Sequence, residues 1–468
     1  MKNYEQFKRL ILFLSAFIIL TLQTAVYWVV WTHYYNAYIL QPYFRRGNYL
    51  MVAVYALLLL FFSKIYGSLK VGYYKKNDIF FSQVLGLFFV NGITYLQICL
   101  LGLRFMSTIP LLVMTGIEVV LIIFWTIISS YIYKRLFPPH KMILLYGNRP
   151  AERLIKKMSS RSDKYEICAA MNIDKGIENI KKVINDFDAV IIWDIPSEVR
   201  SPILKYCFKN SIRTYVMPKL SDIILMGSDK INLFDTPLLL CRNYGLTFDQ
   251  KFVKRFMDIM ISFLALIVLS PIMLMISLLI KLYDRGPVFY KQERLTIDGH
   301  IFSIYKFRSM IVDAEKDGVA RLAGQKDNRI TPVGSFIRAV RIDELPQLIN
   351  ILAGHMSIVG PRPERPQIAD EYKVDMPEFE FRLKVKAGLT GYAQVYGKYN
   401  TTPYDKLKLD LLYIESYSLW LDIKLIILTI KILFKKESTE GIDEGQNTAR
   451  IVNYENNELV SRINLKEF

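Results

Sequence analysis

The amino-acid sequence predicts a membrane protein of mixed α and α/β class, and three observations carry that prediction. Of its 468 residues 52% are hydrophobic and the mean hydropathy is +0.22, high for a water-soluble chain. The apolar residues gather in long runs before Tyr133 and in one further run, Ile259–Ile280. Between them the pattern changes to short apolar runs separated by amphipathic stretches.

The first element is a four-span transmembrane region, residues 1–140, with apolar runs at about Leu10–Trp31, Tyr49–Ser63, Phe80–Leu103 and Ile109–Tyr133. Three are long enough to cross a bilayer; the second is short and depends on its flanks. The first run is too long for a cleaved signal and lacks a small-residue cleavage site before Trp28 and Trp31, so it is expected to stay as an anchor. Lys8 and Arg9 before the first run, Lys64, Lys70, Lys75 and Lys76 after the second, and Lys134 and Arg135 after the fourth set the orientation. Arg45 and Arg46 oppose it, but the count puts the N-terminus and everything after Tyr133 on the cytoplasmic face. Cys99, Cys168, Cys207 and Cys241 have no paired spacing, which suits a reducing compartment and gives no metal-thiolate site.

The second element is a cytoplasmic domain, residues 141–249, where apolar runs (MILLY at 142, DAVIIW at 188, RTYVMP at 213) alternate with helical stretches. That is a βα pattern. The first strand runs into Gly147-Asn148-Arg149-Pro150, without the glycine triplet that admits a pyrophosphate, so the expectation is a degenerate Rossmann-like domain acting as a regulatory or oligomerising spacer.

The third element opens on Ile259–Ile280, which hydropathy alone reads as a fifth span. Its flanks disagree. Lys251, Lys254 and Arg255 precede it and Lys281, Arg285, Lys291 and Arg294 follow, so both ends are drawn to the same side. Ser270-Pro271 sits at its centre, and a proline there removes one helical hydrogen bond and crowds the preceding turn. The expectation is a re-entrant helix-break-helix over about 256–282, against the alternative of a proline-kinked span.

The segment RIDELPQLINILAGHMSIVGPRPERP at 341–366 concentrates the chemistry. Asp343 and Glu344 precede Pro346 and a helical run, so both carboxylates suit N-terminal capping of that helix. The competing reading rests on Arg338, Arg341, Arg362 and Arg365: four guanidinium groups around two acids suit phosphate chemistry, or else form a solvated charged face. Upstream lie Lys291-Gln292-Glu293-Arg294, Tyr305-Lys306-Phe307-Arg308-Ser309-Met310 with Asp313 and Glu315, and Asp327-Asn328-Arg329. Each block alone reads as a solvated face, a headgroup patch or an exposed strand edge.

Taken in order, these blocks make the stretch from Lys254 to about Phe434 resemble the bacterial sugar transferases, the monotopic polyprenyl-phosphate phosphoglycosyltransferases. The resemblance runs through KRFMD at Lys254–Asp258, the Ser-Pro pair, KQER at Lys291–Arg294, KFRSM at Lys306–Met310, DELPQ at Asp343–Gln347 and VGPRP at Val359–Pro363. The whole layout is similar to the long-form members that initiate capsular or exopolysaccharide repeat units. The resemblance implies a catalytic domain at 250–436 that transfers hexose 1-phosphate from a UDP-hexose, glucose or galactose, to undecaprenyl phosphate and releases UMP. It also implies a covalent phosphosugar-aspartyl intermediate, with Asp343 as nucleophile and Glu344 as its partner. Both are expected to ligate Mg²⁺, which takes one or two carboxylates plus substrate phosphates. Lys306, Arg308, Arg338 and Arg362 are expected on phosphate oxygens, with the prolines flanking Arg362 limiting where its guanidinium points.

The sequence departs from its relatives at His355, where an acidic residue is common, and at Ala387 and Tyr392, where proline and tryptophan are common. His355 is expected to be structural. Tyr413–Phe434, interrupted by Asp422, Lys424 and Lys431, reads as an amphipathic helix along the interface, and 437–468 as a flexible tail. A net charge of +17 suits anionic lipid and a phosphorylated lipid acceptor on the bacterial cell membrane. The aromatics do not interleave with the basic residues, so nucleic acid is not an expected partner. A homodimer is the default for such a protein. The competing functional classes are a non-catalytic scaffold for polysaccharide assembly and a transporter, for which Glu118 is the one acidic candidate inside the spans.

Overall fold

The computed structural model describes residues 2–147, 151–159, 161–241, 245–312, 329–397, 401–433 and 466–467. The chain divides into two compact units, 1–217 with 454–468, and 218–453.

The first unit begins with four long apolar helices: α1 (Lys8–Val30, continued by a π turn at Trp31–Tyr35), α2 (Arg45–Tyr66), α3 (Lys76–Gly102) and α4 (Ile109–Leu136). All four are long and apolar enough to cross a membrane. The second exceeds its apolar run because Arg45 through Asn48 join its first turn, and Gly67, at φ 67°, ends it in the left-handed conformation that glycine adopts without strain. Inside the bundle Tyr55 Oη lies 2.6 Å from one Glu118 oxygen, and Asn91 donates to the other at 3.1 Å. Glu118, fully buried and hydrogen-bonded, therefore fastens α2, α3 and α4 to one another.

The same unit continues with β1 (His140–Tyr146), α5 (Glu152–Ser159), β2 (Tyr165–Asn172), α6 (Ile177–Ile184), β3 (Ala189–Trp193), α7 (Ser197–Lys209) and β4 (Arg213–Val216). The four strands form a parallel sheet in the order β2-β1-β3-β4. Its two faces bury separate apolar clusters, Ile143, Leu145 and Ile192 on one side and Met142, Leu144 and Ile191 on the other, as a sheet covered by helices requires. The loop Asn148–Pro150 lies outside the described residues.

The second unit opens with α8 (Leu220–Met226) and a hairpin of β5 (Asp229–Leu233) and β6 (Thr236–Leu240). Residues 218–240, which the sequence pattern assigned to the middle domain, thus belong to this unit. The long helix α9 (Phe248–Asp284) follows, started by a capping box in which Gln250 accepts from the Thr247 backbone N–H. The chain does not unwind at the expected break, Ser270-Pro271: the backbone stays helical through both residues. Pro271 cannot donate to the Ile267 carbonyl four residues back, and the Ser270 hydroxyl donates to it instead at 2.8 Å. A neighbouring hydroxyl is how a membrane helix absorbs a proline.

Both halves of α9 hold the same unit. In the first half Lys254 pairs with Asp422 at 2.6 Å, Arg255 donates to the carbonyls of Ile351 and Leu352, and Asp258 accepts from the Ile358 N–H. In the second, Ile276 and Ile280 pack with Phe307 and Ile337, and Asp284 pairs with Arg308. Much of the surface between these attachments is exposed hydrocarbon, including Phe263, Val268, Leu274 and Leu282.

Then come β7 (Phe289–Leu295) antiparallel to β8 (Ile301–Phe307), α10 (Pro332–Ala339), α11 (Gln347–Leu352), β9 (Ser357–Val359), α12 (Pro366–Asp375), β10 (Gly388–Thr390), α13 (Tyr392–Tyr396), α14 (Pro403–Glu415) and α15 (Leu419–Leu433). A short β10 runs parallel to β9. The core joins Leu348, Ile351, Met356 and Val359 to Leu407, Leu411 and Leu425. On α15 the buried stripe is Asp422, Leu425, Leu428 and Lys431, so two charges that seemed to mark its wet face point into the protein. Asp422 is fully buried between Lys254 and the Tyr413 hydroxyl, whose partnership removes the cost of burying it alone. A final strand, β11 (Lys466–Glu467), pairs with β2 in the first unit. The block at Asp313, Glu315, Asp327 and Asn328, and the tail 437–468 apart from β11, lie outside the described residues.

Candidate active site

The acidic pair sits on a sharp turn. α10 ends at Ala339, Arg341 adopts the left-handed conformation at φ 56°, and Ile342–Glu344 form one 3₁₀ turn that runs into α11. A non-glycine residue in that conformation costs roughly 1–2 kcal/mol and persists where surrounding contacts fix it. Pro346 stands at the cap position of α11 and no side chain caps that helix. The capping reading of Asp343 and Glu344 is therefore not what the geometry realises.

Glu344 is held by two cations. Lys306, the penultimate residue of β8, donates to its Oε1 at 3.1 Å, and Arg362, just after β9, donates to the same oxygen at 2.9 Å. Burial alone would raise the Glu344 pKa, but Arg362, Lys306 and Arg341 outweigh it and hold the carboxyl well below the usual carboxylate range. Asp343 goes the other way. Burial, and next the charge on Glu344, push its pKa up to about 6, against the pull of Lys306, Arg338 and Arg362. Among the described residues no hydrogen-bond donor occupies Asp343. The pair thus divides into a pinned anion and a more basic, unengaged carboxylate, a division of roles that like-charged neighbours commonly take.

Three of the four cations assigned to phosphate, Lys306, Arg338 and Arg362, surround this pair. Arg308 is different: it is buried, its guanidinium pairs with Asp284 at the end of α9, and its Nη1 meets no acceptor among the described residues. Gly286 leaves room for it, since a Cβ there would lie 1.9 Å from that nitrogen. His355 stacks on Phe302, with ring centroids 6.0 Å apart, and lies on no reacting group.

Some supporting residues carry little sequence signal. Asn350 is fully buried in α11 and spans the free edge of β8, accepting from Tyr305 N–H at 2.9 Å and donating to the Ser303 carbonyl at 2.8 Å. It supplies the hydrogen bonds that a third strand would make, and it fixes α11 beside the strand that bears Lys306. A lone asparagine in the apolar run QLINIL is the signal that could have exposed it. Arg255 and Lys386 close the other end of α11 by donating to the carbonyls of Ile351, Leu352 and Gly354, the favourable place for cations on a helix.

Among the described residues no group of three or more histidine, cysteine or carboxylate side chains gathers around a common point. An all-protein metal cage is therefore not built there. An acidic pair that offers one or two carboxylates, beside cations fit for phosphate, suits a magnesium ion that takes its other oxygens from substrate and water.

The bacterial sugar transferase family profile matches residues 249–436. The chain is 33% identical over 304 residues, 64% of its own length and 60% of the relative's, to the UDP-glucose:undecaprenyl-phosphate glucose-1-phosphate transferase of Klebsiella pneumoniae. It is 32% identical over 308 residues, 58% of this chain and 63% of the relative, to the undecaprenyl-phosphate galactose phosphotransferase of Salmonella typhimurium. A shorter relative, the UDP-glucose:undecaprenyl-phosphate glucose-1-phosphate transferase of Caulobacter vibrioides, is 37% identical over 190 residues, 40% of this chain and 71% of that protein. The chain thus spans less than two thirds of the first two relatives and more than two thirds of the third. With the acidic turn, the paired cations and the long apolar helix all inside the matched region, the chain belongs to the bacterial sugar transferase family.

Proposed function

We propose that this protein transfers hexose 1-phosphate from a UDP-hexose, glucose or galactose, to undecaprenyl phosphate at the cytoplasmic face of a bacterial membrane and releases UMP. The observation that carries the reading is the division of the acidic pair: Glu344 is pinned as an anion by Lys306 and Arg362, while Asp343 is raised to about 6 and accepts from no donor among the described residues. A carboxylate of that basicity is ionised at neutral pH and is a better nucleophile than an ordinary one. The Asp343 oxygen attacks the β-phosphorus, the bond to UMP breaks, and UMP leaves with the electron pair. An oxygen of the lipid phosphate then attacks the same phosphorus, restoring the Asp343 carboxylate and forming the lipid-linked diphosphate.

Arg362 and Arg338 serve the phosphoryl oxygens as forked donors, and Lys306 as a point charge between substrate and Glu344. Asp343 and Glu344 would hold Mg²⁺, whose chemistry is to clamp the diphosphate oxygens and neutralise charge on the departing UMP. A re-entrant course for α9 is supported by the attachment of both of its halves to one unit, its basic flanks and its exposed hydrocarbon surface. That course keeps the acidic pair on the side where nucleotide sugars are made.

The test is UMP release by purified protein with undecaprenyl phosphate and Mg²⁺ across UDP-glucose, UDP-galactose and the UDP-N-acetylhexosamines. Release confined to one or two donors and dependent on acceptor identifies the reaction and its sugar. Silence across the panel from folded protein moves the weight to a non-catalytic scaffold.

A further inference from the structure

Behind Arg362 lies a buried ionic layer that the reaction does not itself touch. Arg382, on the 3₁₀ stretch Pro377–Lys384, is only 4% exposed. Its Nη2 donates to the Arg362 carbonyl at 2.8 Å, its Nε donates to Asp410 Oδ2 on α14 at 3.1 Å, and the same Nη2 lies 2.9 Å from that oxygen. Its Nη1 stands 3.6 Å from Glu364, and its guanidinium covers the Phe379 ring with 4.8 Å to the centroid. Asp410 is 1% exposed. One residue earlier, the Pro361 carbonyl accepts from the Gly388 N–H at 2.9 Å.

The backbone of the Pro-Arg-Pro element is therefore fixed at two successive carbonyls, one by β10 and one by Arg382. Pro361 and Pro363 restrict φ on either side but cannot set where the element sits, because neither has an N–H to donate. That setting comes from β10 at Pro361 and from Arg382 at Arg362 itself, and its consequence appears at the far end of the Arg362 side chain, on Glu344.

We propose that Arg382, anchored by Asp410, is a positioning residue for Arg362 and, through it, for the contact that Arg362 makes with Glu344. The proposal rests on the functional reading above. A guanidinium is required because one planar fork must engage Asp410 and the Arg362 carbonyl together, which an ammonium on a flexible stem does not do. The charged groups facing the acidic pair are Lys306 from β8, Arg338 from α10, Arg341 from the turn and Arg362 itself. Those facing Arg382 are Asp410, Glu364 and Arg362. Loosening the Arg362 backbone releases its guanidinium from Glu344, so the forked donor is no longer held beside the acidic pair.

The experiment compares wild type with Arg382→Lys and Asp410→Asn in the full-length protein, at a temperature where circular dichroism shows each folded. The readouts are kcat and KM for the UDP-sugar in UMP release and hydrogen exchange over residues 359–366. Arg382→Lys is expected to lower kcat by about 10-fold or more, as small misplacements of a positioned group do. It should change KM less than kcat and speed exchange over 359–366, with Asp410→Asn acting in the same direction on both. Wild-type kcat and exchange in both variants, or a loss of rate with exchange over 359–366 unmoved, would make Arg382 a core stabiliser and overturn the proposal. A wild type that releases no UMP would instead sink the functional reading, and the exchange over 359–366 would still decide whether Arg382 positions Arg362.

Discussion

Arg362 and Glu344 stand eighteen residues apart in the chain and meet at 2.9 Å, from Nη2 to Oε1. The contact makes the Pro-Arg-Pro element and the acidic turn one site, and it takes up the charge of Glu344 while Asp343 has no hydrogen-bond donor among the described residues.

Loss of that contact should be costly even when the charge is kept. Arg362→Lys is expected to lower kcat/KM by about 10²-fold, the scale on which one oriented donor at developing charge is worth. Retention of wild-type kcat/KM would show that the fork on Glu344 and the phosphate is dispensable.

Asp343 and Glu344 predict opposite pH behaviour. Because Asp343 is raised to about 6, its reactive anion is lost as pH falls through that value, and turnover should fall with it. In stability terms the raised group favours folding at low pH, and that contribution is lost as pH rises through about 6. Asp343→Asn, which imitates the neutral acid, should thus gain thermal stability over wild type above pH 7 and match it below pH 4. Glu344, whose pKa is depressed, contributes above the usual carboxylate range and down to its lowered value. Thermal melts from pH 4 to 8 check the signs.

Asn350 should be structural. Its removal leaves the Tyr305 N–H and the Ser303 carbonyl without their partner on the β8 edge, so Asn350→Ala is expected to cost roughly 1–3 kcal/mol for each buried group left unpaired. Denaturant unfolding in detergent tests this; an unchanged midpoint would contradict it.

Ser270 should matter through its hydroxyl. Ser270→Ala strips the Ile267 carbonyl of the donor that stands in for the missing Pro271 N–H, whereas Ser270→Thr keeps a donor. Cysteines placed at Lys251 and Lys281 should both be labelled from the cytoplasmic side in wild type and in Ser270→Thr, with the pattern disturbed in Ser270→Ala. Labelling of the two cysteines from opposite sides in wild type would refute the re-entrant course.

Much of this architecture was legible because it follows from local pattern. The apolar runs marked the four N-terminal helices, and three of the four strands of the β2-β1-β3-β4 sheet announced themselves as unbroken apolar stretches. Strand β2, YEICAAMN, did not, since its glutamate and alanines dilute the run and its place is set by pairing with β1. The acidic pair and Arg362 were visible as unusual charge density in one short segment. What sequence could not convey was the direction in which polar groups point. Asp422 and Lys431 look like the wet face of α15 and are buried, because their partners come from distant elements. Arg308 looks like a phosphate ligand, yet its guanidinium is turned to Asp284. Ser270-Pro271 looked like a break because the rule for proline counts the lost N–H and not the neighbouring hydroxyl that replaces it.

The central claim is that Asp343 carries the sugar phosphate. Purified protein given its UDP-sugar and Mg²⁺ without lipid acceptor, then quenched in acid and digested, should yield a peptide containing Asp343 heavier by one phosphohexose. Addition of undecaprenyl phosphate before the quench should clear the adduct, and Asp343→Asn should never acquire it. Rapid turnover with no adduct under any quench, or full turnover by Asp343→Asn, would contradict the account.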